Sequence, residues 1–185
     1  DPTRGVRLQF GGEFAGLGGD TEFFKTTVLA IAEQQVMRED VTLRASFEAG
    51  ALDMLNDEDS RLDDRFMLSS RQMRGFEPNG LGPRDLGVPN KDALGGNYFA
   101  VVRFEAAFPL GLPDEYGISG GLFYDIGTVW GLNDTAGGND PPQTSGIVDD
   151  SLYWRQSVGV SIFWDTVVGP LRFNFTYPFE FESYD

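Results

Sequence analysis

Apolar and polar side chains alternate along most of this chain, and the repeat has a period of two residues. The alternation is clear in residues 6–10, 41–48, 97–106, 157–164 and 171–177. Because successive side chains of a β-strand point to opposite faces, this period predicts strands with one apolar face and one mixed or polar face. Seven strands are predicted, at about residues 4–14, 23–35, 40–50, 95–108, 116–129, 152–165 and 169–181.

The lengths of these strands and of their connections favour a barrel that crosses a membrane. Several strands reach the roughly 9–11 residues that a tilted strand needs to span a bilayer, whereas strands of soluble proteins most often have about 5–6. Short turns on one side and long loops on the other are typical of outer-membrane barrels. The predicted fold class is therefore all-β, an antiparallel transmembrane β-barrel of which this chain supplies about seven strands. The short connections are 35–39, 109–115 and 165–168, the long ones are 51–94 and 131–151, and 15–22 is intermediate.

Aromatic residues near the ends of the predicted strands point the same way. Tyr and Trp favour the headgroup level of a membrane, because each has an apolar body and a polar tip. The alternative is that these residues are ordinary core aromatics of a soluble β-sandwich, and the strand lengths favour the membrane. The residues are Phe23, Phe24, Tyr98, Phe108, Trp130, Tyr153, Trp154, Trp164, Tyr177 and Phe179.

The charge and composition of the chain exclude several classes of function. The 14 basic and 29 acidic residues give a net charge of −15, which argues against nucleic acid as a partner since binding phosphate needs a basic surface. The sequence has no cysteine and no histidine. This excludes a disulfide framework, a thiolate nucleophile, a serine–histidine pair and a histidine-ligated zinc within the chain. No set of nucleophile and base is visible, so we expect neither an enzyme nor a cofactor.

Acidic residues gather in two predicted loops. Asp53, Asp57, Glu58, Asp59, Asp63 and Asp64 form the first group, and Asp134, Asp140, Asp149 and Asp150 form the second. We interpret both groups as solvated loop surface. Binding of divalent ions is the alternative.

The predicted loop at 51–94 is too long for a simple hairpin, since structureless loops beyond about 12–15 residues are usually functional or disordered. Its middle, residues 72–83, contains Arg74, Gly75 and Phe76 among several turn-forming residues. Here the chain resembles the loop signature of the BamA superfamily of outer-membrane assembly and translocation barrels. Residues 1–5, 95–97, 125–130 and 169–173 are also similar to that family and follow in the right order, so the resemblance covers nearly the whole chain.

The resemblance implies that the long extracellular loop folds back into the barrel lumen, where its arginine meets an acidic residue on the wall. The strand pattern supports this independently. Leu122, Tyr124 and Ile126 share an apolar face, so Asp125 points inward, and by the same count Glu105 and Arg103 also point inward. Arg74 could bridge Glu105 and Asp125 through its fork of donors, and a buried arginine without such partners would be costly.

Gly75 would then allow a close backbone approach or a positive φ, and Phe76 would pack against the inner wall. These five residues, Arg74, Gly75, Phe76, Glu105 and Asp125, are the predicted site, a structural lock of the loop. The alternative is that Arg74 is a solvated loop residue.

The resemblance also implies a function in the outer membrane without ATP or a cofactor: folding and inserting β-barrel proteins. Expected partners are outer-membrane lipid and lipopolysaccharide, unfolded outer-membrane proteins as clients, and accessory assembly lipoproteins. A polypeptide-translocating barrel of the same superfamily, a passive porin and a soluble β-binding module are the alternatives. Because the family forms a larger closed barrel, we expect residues 1–185 to be its C-terminal part without the final strand, unable to insert or function alone.

Overall fold

The computed structural model describes residues 4–16, 21–38, 40–56, 59–87, 89–133, 148–183 and 185. Nine strands and a short 3-10 helix, Asp114–Tyr116, form its regular structure. The strands are β1 (Arg4–Ala15), β2 (Phe23–Val36), β3 (Val41–Met54), β4 (Arg84–Asp85), β5 (Tyr98–Pro109), β6 (Ile118–Trp130), β7 (Val148–Asp149), β8 (Arg155–Thr166) and β9 (Gly169–Glu180).

The seven long strands form one sheet in the order β1-β2-β3-β5-β6-β8-β9. Each strand pairs antiparallel with the next long strand along the chain. Each has 12 to 14 residues, enough to cross a bilayer when tilted. The predicted all-β antiparallel fold is confirmed. Among the described strands β1 and β9 are the two edges, so this part of the sheet is open.

The pairing register places the apolar phase of every long strand on one face, which we call the outer face. Leu8 lies opposite Ala30, which lies opposite Phe47, and Val102 and Ile126 continue the same row on the next strands. Leu8 is 63% exposed, and the outer face as a whole carries a broad apolar surface. A broad, continuous apolar surface marks contact with a membrane or another protein.

The opposite face, which we call the inner face, carries the polar phase and is covered in part by the long loop. A buried apolar cluster lies between the loop and the sheet, and its residues contact one another across that boundary. The loop contributes Leu68, Met73, Phe76 and Leu81, and strands β5 and β6 contribute Phe99, Val101 and Val129. The loop is therefore packed on the sheet as part of the fold.

The long loop covers residues 55–97, so it begins four residues later and ends three residues later than the predicted bounds of about 51–94. Strand β3 continues to Met54 because its pairing with β2 extends to Phe23. Strand β5 begins only at Tyr98, since Gly96 instead forms an isolated bridge with Phe66. The short pair β4–β7, which joins the two long loops, was not predicted. The other long strands begin and end within three residues of the predicted positions.

None of the described residues belongs to a helix long and apolar enough to span a membrane. Some residues used in the sequence interpretation lie outside the described part of the chain. They are Asp1, Pro2 and Thr3 of the opening segment and the acidic residues Asp57, Glu58, Asp134 and Asp140. Within the described ranges, no three acidic side chains come together in a way that could hold a metal ion.

Candidate functional site

The tip of the long loop, residues 69–76, begins with a tight turn against the inner face. The amides of Gln72 and Met73 both donate to the carbonyl oxygen of Ser69, at 3.0 and 3.1 Å. The Gln72 side chain accepts from the Ser69 amide at 3.0 Å and donates to Glu48 on β3 at 2.9 Å. This turn fixes the backbone immediately before Arg74 and directs its side chain toward the sheet.

Arg74 binds Asp125 of β6 through three hydrogen bonds. Its Nη2 donates to Oδ1 at 2.5 Å and its Nε donates to Oδ2 at 2.7 Å. The backbone amide of Arg74 also donates to Oδ2, at 3.1 Å. Asp125 is fully buried and Arg74 is 8% exposed. This bidentate arrangement uses the planar fork of the guanidinium and satisfies both carboxylate oxygens.

The same guanidinium reaches a second carboxylate, on the neighbouring strand. Nη1 of Arg74 donates to Oε2 of Glu105 on β5 at 2.7 Å. Glu105 also accepts from Arg172 of β9. Arg74 is thus bound between two acidic side chains, and one of these is shared with a further arginine.

Contacts with neutral groups also bind Arg74 to the sheet. The Arg74 guanidinium carbon lies 3.8 Å from the centroid of the Phe123 ring, a cation–π geometry. The hydroxyl of Ser157 on β8 donates to the Arg74 carbonyl oxygen at 2.6 Å. The charged head, the amide and the carbonyl of this one residue are all bound by the sheet.

Gly75 allows the loop to approach β9 closely. Its φ is +93°, a conformation that side chains with a Cβ rarely adopt. A Cβ at this position would lie 2.5 Å from Cγ2 of Thr176. Both the backbone conformation and the space therefore require glycine here. Phe76, directly after it, is buried in the apolar cluster described above.

The electrostatics keep Arg74 charged. Burial alone lowers the pKa of its guanidinium, but hydrogen bonds and charge attraction from Asp125 and Glu105 outweigh burial, and the pKa is raised above its usual value. An arginine already remains protonated under ordinary conditions. The site is an ion-pair network that can hold a loop in place.

The structure brings Arg74 into direct contact with Glu105 and with Asp125. It places Gly75 against Thr176 and Phe76 in the apolar cluster between loop and sheet. Sequence reasoning missed Ser157, Phe123 and Arg172 as contacts. The inward phase of β9 was a usable signal for Arg172, which alternates with the outward Leu171 and Phe173.

A second arginine network, also missed, lies at the start of β8. Arg155 is 1% exposed and its Nε donates to Asp185 at 2.9 Å. Its Nη2 donates to Glu182 at 2.8 Å. This network holds the segment after β9 against β8, and its partners stand 27 and 30 residues away along the chain.

Comparison with known proteins gives consistent matches over most of the chain. The chain is 34% identical over 171 residues to the outer membrane protein assembly factor BamA of Neorickettsia risticii, an alignment covering 92% of this chain and 21% of that protein. It is 29% identical over 182 residues to BamA of Nitratidesulfovibrio vulgaris, covering 97% and 21% respectively. It is also 35% identical over 116 residues to a SAM50-like protein of Schizosaccharomyces pombe, covering 59% and 23%.

The fold matches a solved structure of the same kind. The crystal structure of BamA from Haemophilus ducreyi lacking POTRA domains 1–3 superposes with a TM-score of 0.80 at 18% identity, over 98% of this chain and 36% of that one. At this identity the match speaks for the fold alone. The chain spans about a fifth of the length of the curated relatives it matches. The family model for the Omp85 superfamily domain matches residues 1–185, and the chain belongs to that superfamily.

Proposed function

We propose that this chain is the part of an outer-membrane assembly factor in which a long loop is anchored inside the barrel, and that the whole protein folds and inserts β-barrel proteins. Three of the relatives are named outer membrane protein assembly factors. The observation that carries the proposal is the binding of Arg74 by Asp125 and Glu105 at the tip of a loop packed on the inner face.

The proposed action is physical and involves no covalent chemistry. Clients would be unfolded outer-membrane proteins, whose strands pair with an exposed strand edge of the assembly factor by β-augmentation. The role of the Arg74 site would be to hold the loop and the wall in one arrangement while that pairing proceeds. Breaking a buried ion pair costs about 3–5 kcal/mol. The loop would therefore remain seated, that is, bound to the inner face through Arg74, unless binding of a client offsets that cost.

The outer membrane is the location of this chain, and the apolar outer face of the sheet suits that location. The outer face presents Leu8, Phe47, Val102 and Ile126 in one apolar row, which lipid would cover. Loop 55–97 would lie on the extracellular side and enter the lumen, with the short turns on the periplasmic side. Outer-membrane lipid and lipopolysaccharide would contact the protein directly, and accessory assembly lipoproteins would be further partners.

The test is complementation by the full-length parent protein in cells depleted of the native copy. The variant Arg74→Gln removes the charge that binds Asp125. The matched control is Arg71→Gln, which makes the same change three residues earlier, at an exposed side chain of the same loop. We expect Arg74→Gln to lower the amount of folded barrel protein in the outer membrane severalfold, and Arg71→Gln to leave it unchanged. Equal activity of the two variants would contradict the proposed role of the site.

A reconstituted assay separates assembly from a transport function. The purified parent protein in lipid vesicles should speed the folding of a urea-denatured outer-membrane barrel, measured by the gel shift between folded and unfolded forms. Vesicles that contain the Arg74→Gln variant should fold the client more slowly. If wild-type vesicles gave no acceleration but passed an unfolded polypeptide across the bilayer, the translocating alternative would replace the proposal.

A further inference from the structure

Arg172 of β9 is held on the inner face by its own strand and the neighbouring one. Its Nε donates to Oδ1 of Asn174 at 2.8 Å and its Nη2 donates to the hydroxyl of Ser161 at 3.2 Å. Its guanidinium carbon lies 4.8 Å from the centroid of the Phe163 ring. These contacts involve only β8 and β9, so they place Arg172 independently of the loop.

From this position Arg172 reaches the carboxylate that binds Arg74. Nη2 of Arg172 donates to Oε2 of Glu105 at 2.6 Å, and Nη1 of Arg74 donates to the same oxygen at 2.7 Å. Strands β6 and β8 lie between β5 and β9 in the sheet. The two arginines and the shared carboxylate therefore connect the loop to a strand that is not a neighbour of β5.

The loop tip also meets β9 at a second point. Gly75 packs so closely on Thr176 that a Cβ would not fit. Including Asp125 on β6 and Ser157 on β8, the two residues Arg74 and Gly75 contact four consecutive strands of the sheet. The position of β9 is thereby part of the loop's binding site.

We propose that Arg172 is a positioning residue of this site, which orients Glu105 toward Arg74 and through that carboxylate ties the loop tip to β9. The two arginines repel each other, so any support that Arg172 gives to Arg74 comes from holding the Glu105 carboxylate between them. Arg172 is 35% exposed at its side chain, where an isolated ion pair would contribute little. Its stabilising effect on the loop is expected to arise through Glu105 alone.

That dependence predicts how the effect of Arg172→Gln changes when Glu105 is also replaced, which a double-mutant cycle measures. With Glu105 present, Arg172→Gln frees the carboxylate and weakens the seating of the loop. With Glu105→Gln, the shared anion is gone and Arg172 only repels Arg74. The same Arg172→Gln change is then expected to have no effect or to strengthen the seating. Coupling of this kind is the signature of residues that act through one another.

The measurement is the rate at which trypsin cleaves after Arg74 in the purified full-length parent protein, with fragments assigned by mass spectrometry. The protease must bind the Arg74 side chain, which is buried while the loop is seated. We expect Arg172→Gln to raise this rate about tenfold, because a hydrogen bond to a charged group contributes enough to shift an equilibrium by that factor. Cleavage after the exposed Arg38, in the turn between β2 and β3, serves as an internal reference.

The matched control is Arg44→Gln, on β3 at the residue paired with Glu105. Arg44 is an inner-face arginine whose ion pair is with Glu33, at 3.7 Å. We expect this control to leave the cleavage rate unchanged and Arg172→Lys to retain part of the protection. Thermal melting of each variant establishes that it is folded before digestion.

Two results would overturn the inference. One is an unchanged cleavage rate on Arg172→Gln. The other is an equal fold rise in that rate when Arg172→Gln is added to the wild-type protein and when it is added to the Glu105→Gln variant. The inference rests on the proposed function only for its biological meaning, because the digestion involves no client. If the cycle behaves as expected while the Arg172→Gln parent still assembles barrels normally in depleted cells, the positioning role stands. The importance of a seated loop for assembly is then contradicted.

Discussion

Arg74 and Asp125 are joined by three hydrogen bonds although 51 residues separate them in the sequence. The guanidinium fork binds both carboxylate oxygens, and the Arg74 amide adds a third bond to Oδ2. Among the contacts described, Arg74 is the one loop residue whose side chain and backbone both donate to the same carboxylate of the sheet. The pair is therefore the point from which the seating of the loop can be tested.

Replacing the carboxylate by its neutral isostere is expected to unseat the loop. Asp125→Asn keeps the size of the side chain but leaves the buried Arg74 charge with an amide, and breaking a buried ion pair costs about 3–5 kcal/mol. The rate of trypsin cleavage after Arg74 should rise at least tenfold. The control Glu33→Gln breaks an exposed pair with Arg44 and should cost no more than about 1 kcal/mol. Equal rates in the two variants would contradict the account.

A methyl group at Gly75 is expected to displace the loop tip from β9. Gly75→Ala meets both a φ of +93° and a Cβ position 2.5 Å from Thr176. Backbone strain of this kind costs about 1–3 kcal/mol, so the melting temperature of the parent protein should fall. Gly5→Ala is the control, since nothing lies within 4 Å of its added Cβ. Adding Thr176→Ala should restore only part of the loss, because the positive φ remains.

The apolar anchor beside the arginine can be tested by truncation. Phe76 is 8% exposed and packs in the cluster between loop and sheet. Phe76→Ala should cost about 3–5 kcal/mol, as is usual for a buried phenylalanine, and Phe76→Leu should cost less. Thermal unfolding of the purified parent protein measures both. The outer-face change Phe10→Ala, at a side chain 76% exposed, should leave the loop seated; a loss there equal to that of Phe76→Ala would argue against the anchor.

Two neighbouring residues of β1 test which face meets lipid. Leu8 lies on the outer face and Gln9 on the inner face, since their paired residues on β2 are Ala30 and Leu29. An arginine on the lipid face near the bilayer centre costs about 2–4 kcal/mol. Leu8→Arg should therefore destabilise the parent protein in lipid vesicles by roughly that amount, measured by urea unfolding. Gln9→Arg should change the free energy of unfolding little, and the reverse order would place lipid on the opposite face.

The sequence was sufficient to predict the sheet, because the period of two directly records which side chains share a face. It also placed Glu105 and Asp125 inward, as the register has them. The contacts of Arg172 could not be predicted, since its partner Glu105 is 67 residues away and on a strand that is not its neighbour. The pair β4–β7 has two residues per strand, too few for any period to be visible. Which surfaces meet across the sheet is a tertiary property that the pattern of one strand does not contain.

Arg74 and Asp125 are proposed to hold the loop in place through their opposite charges, and a charge exchange tests this most directly. In the full-length parent protein, Arg74→Asp and Asp125→Arg are introduced singly and together, and assembly of outer-membrane barrels is measured in cells depleted of wild type. We predict that each single change abolishes assembly and that the double change restores part of it, because the exchanged pair regains an ion pair in the same place. If both single variants assembled barrels like wild type, the pair would not hold the loop in the working protein, and the account would be contradicted.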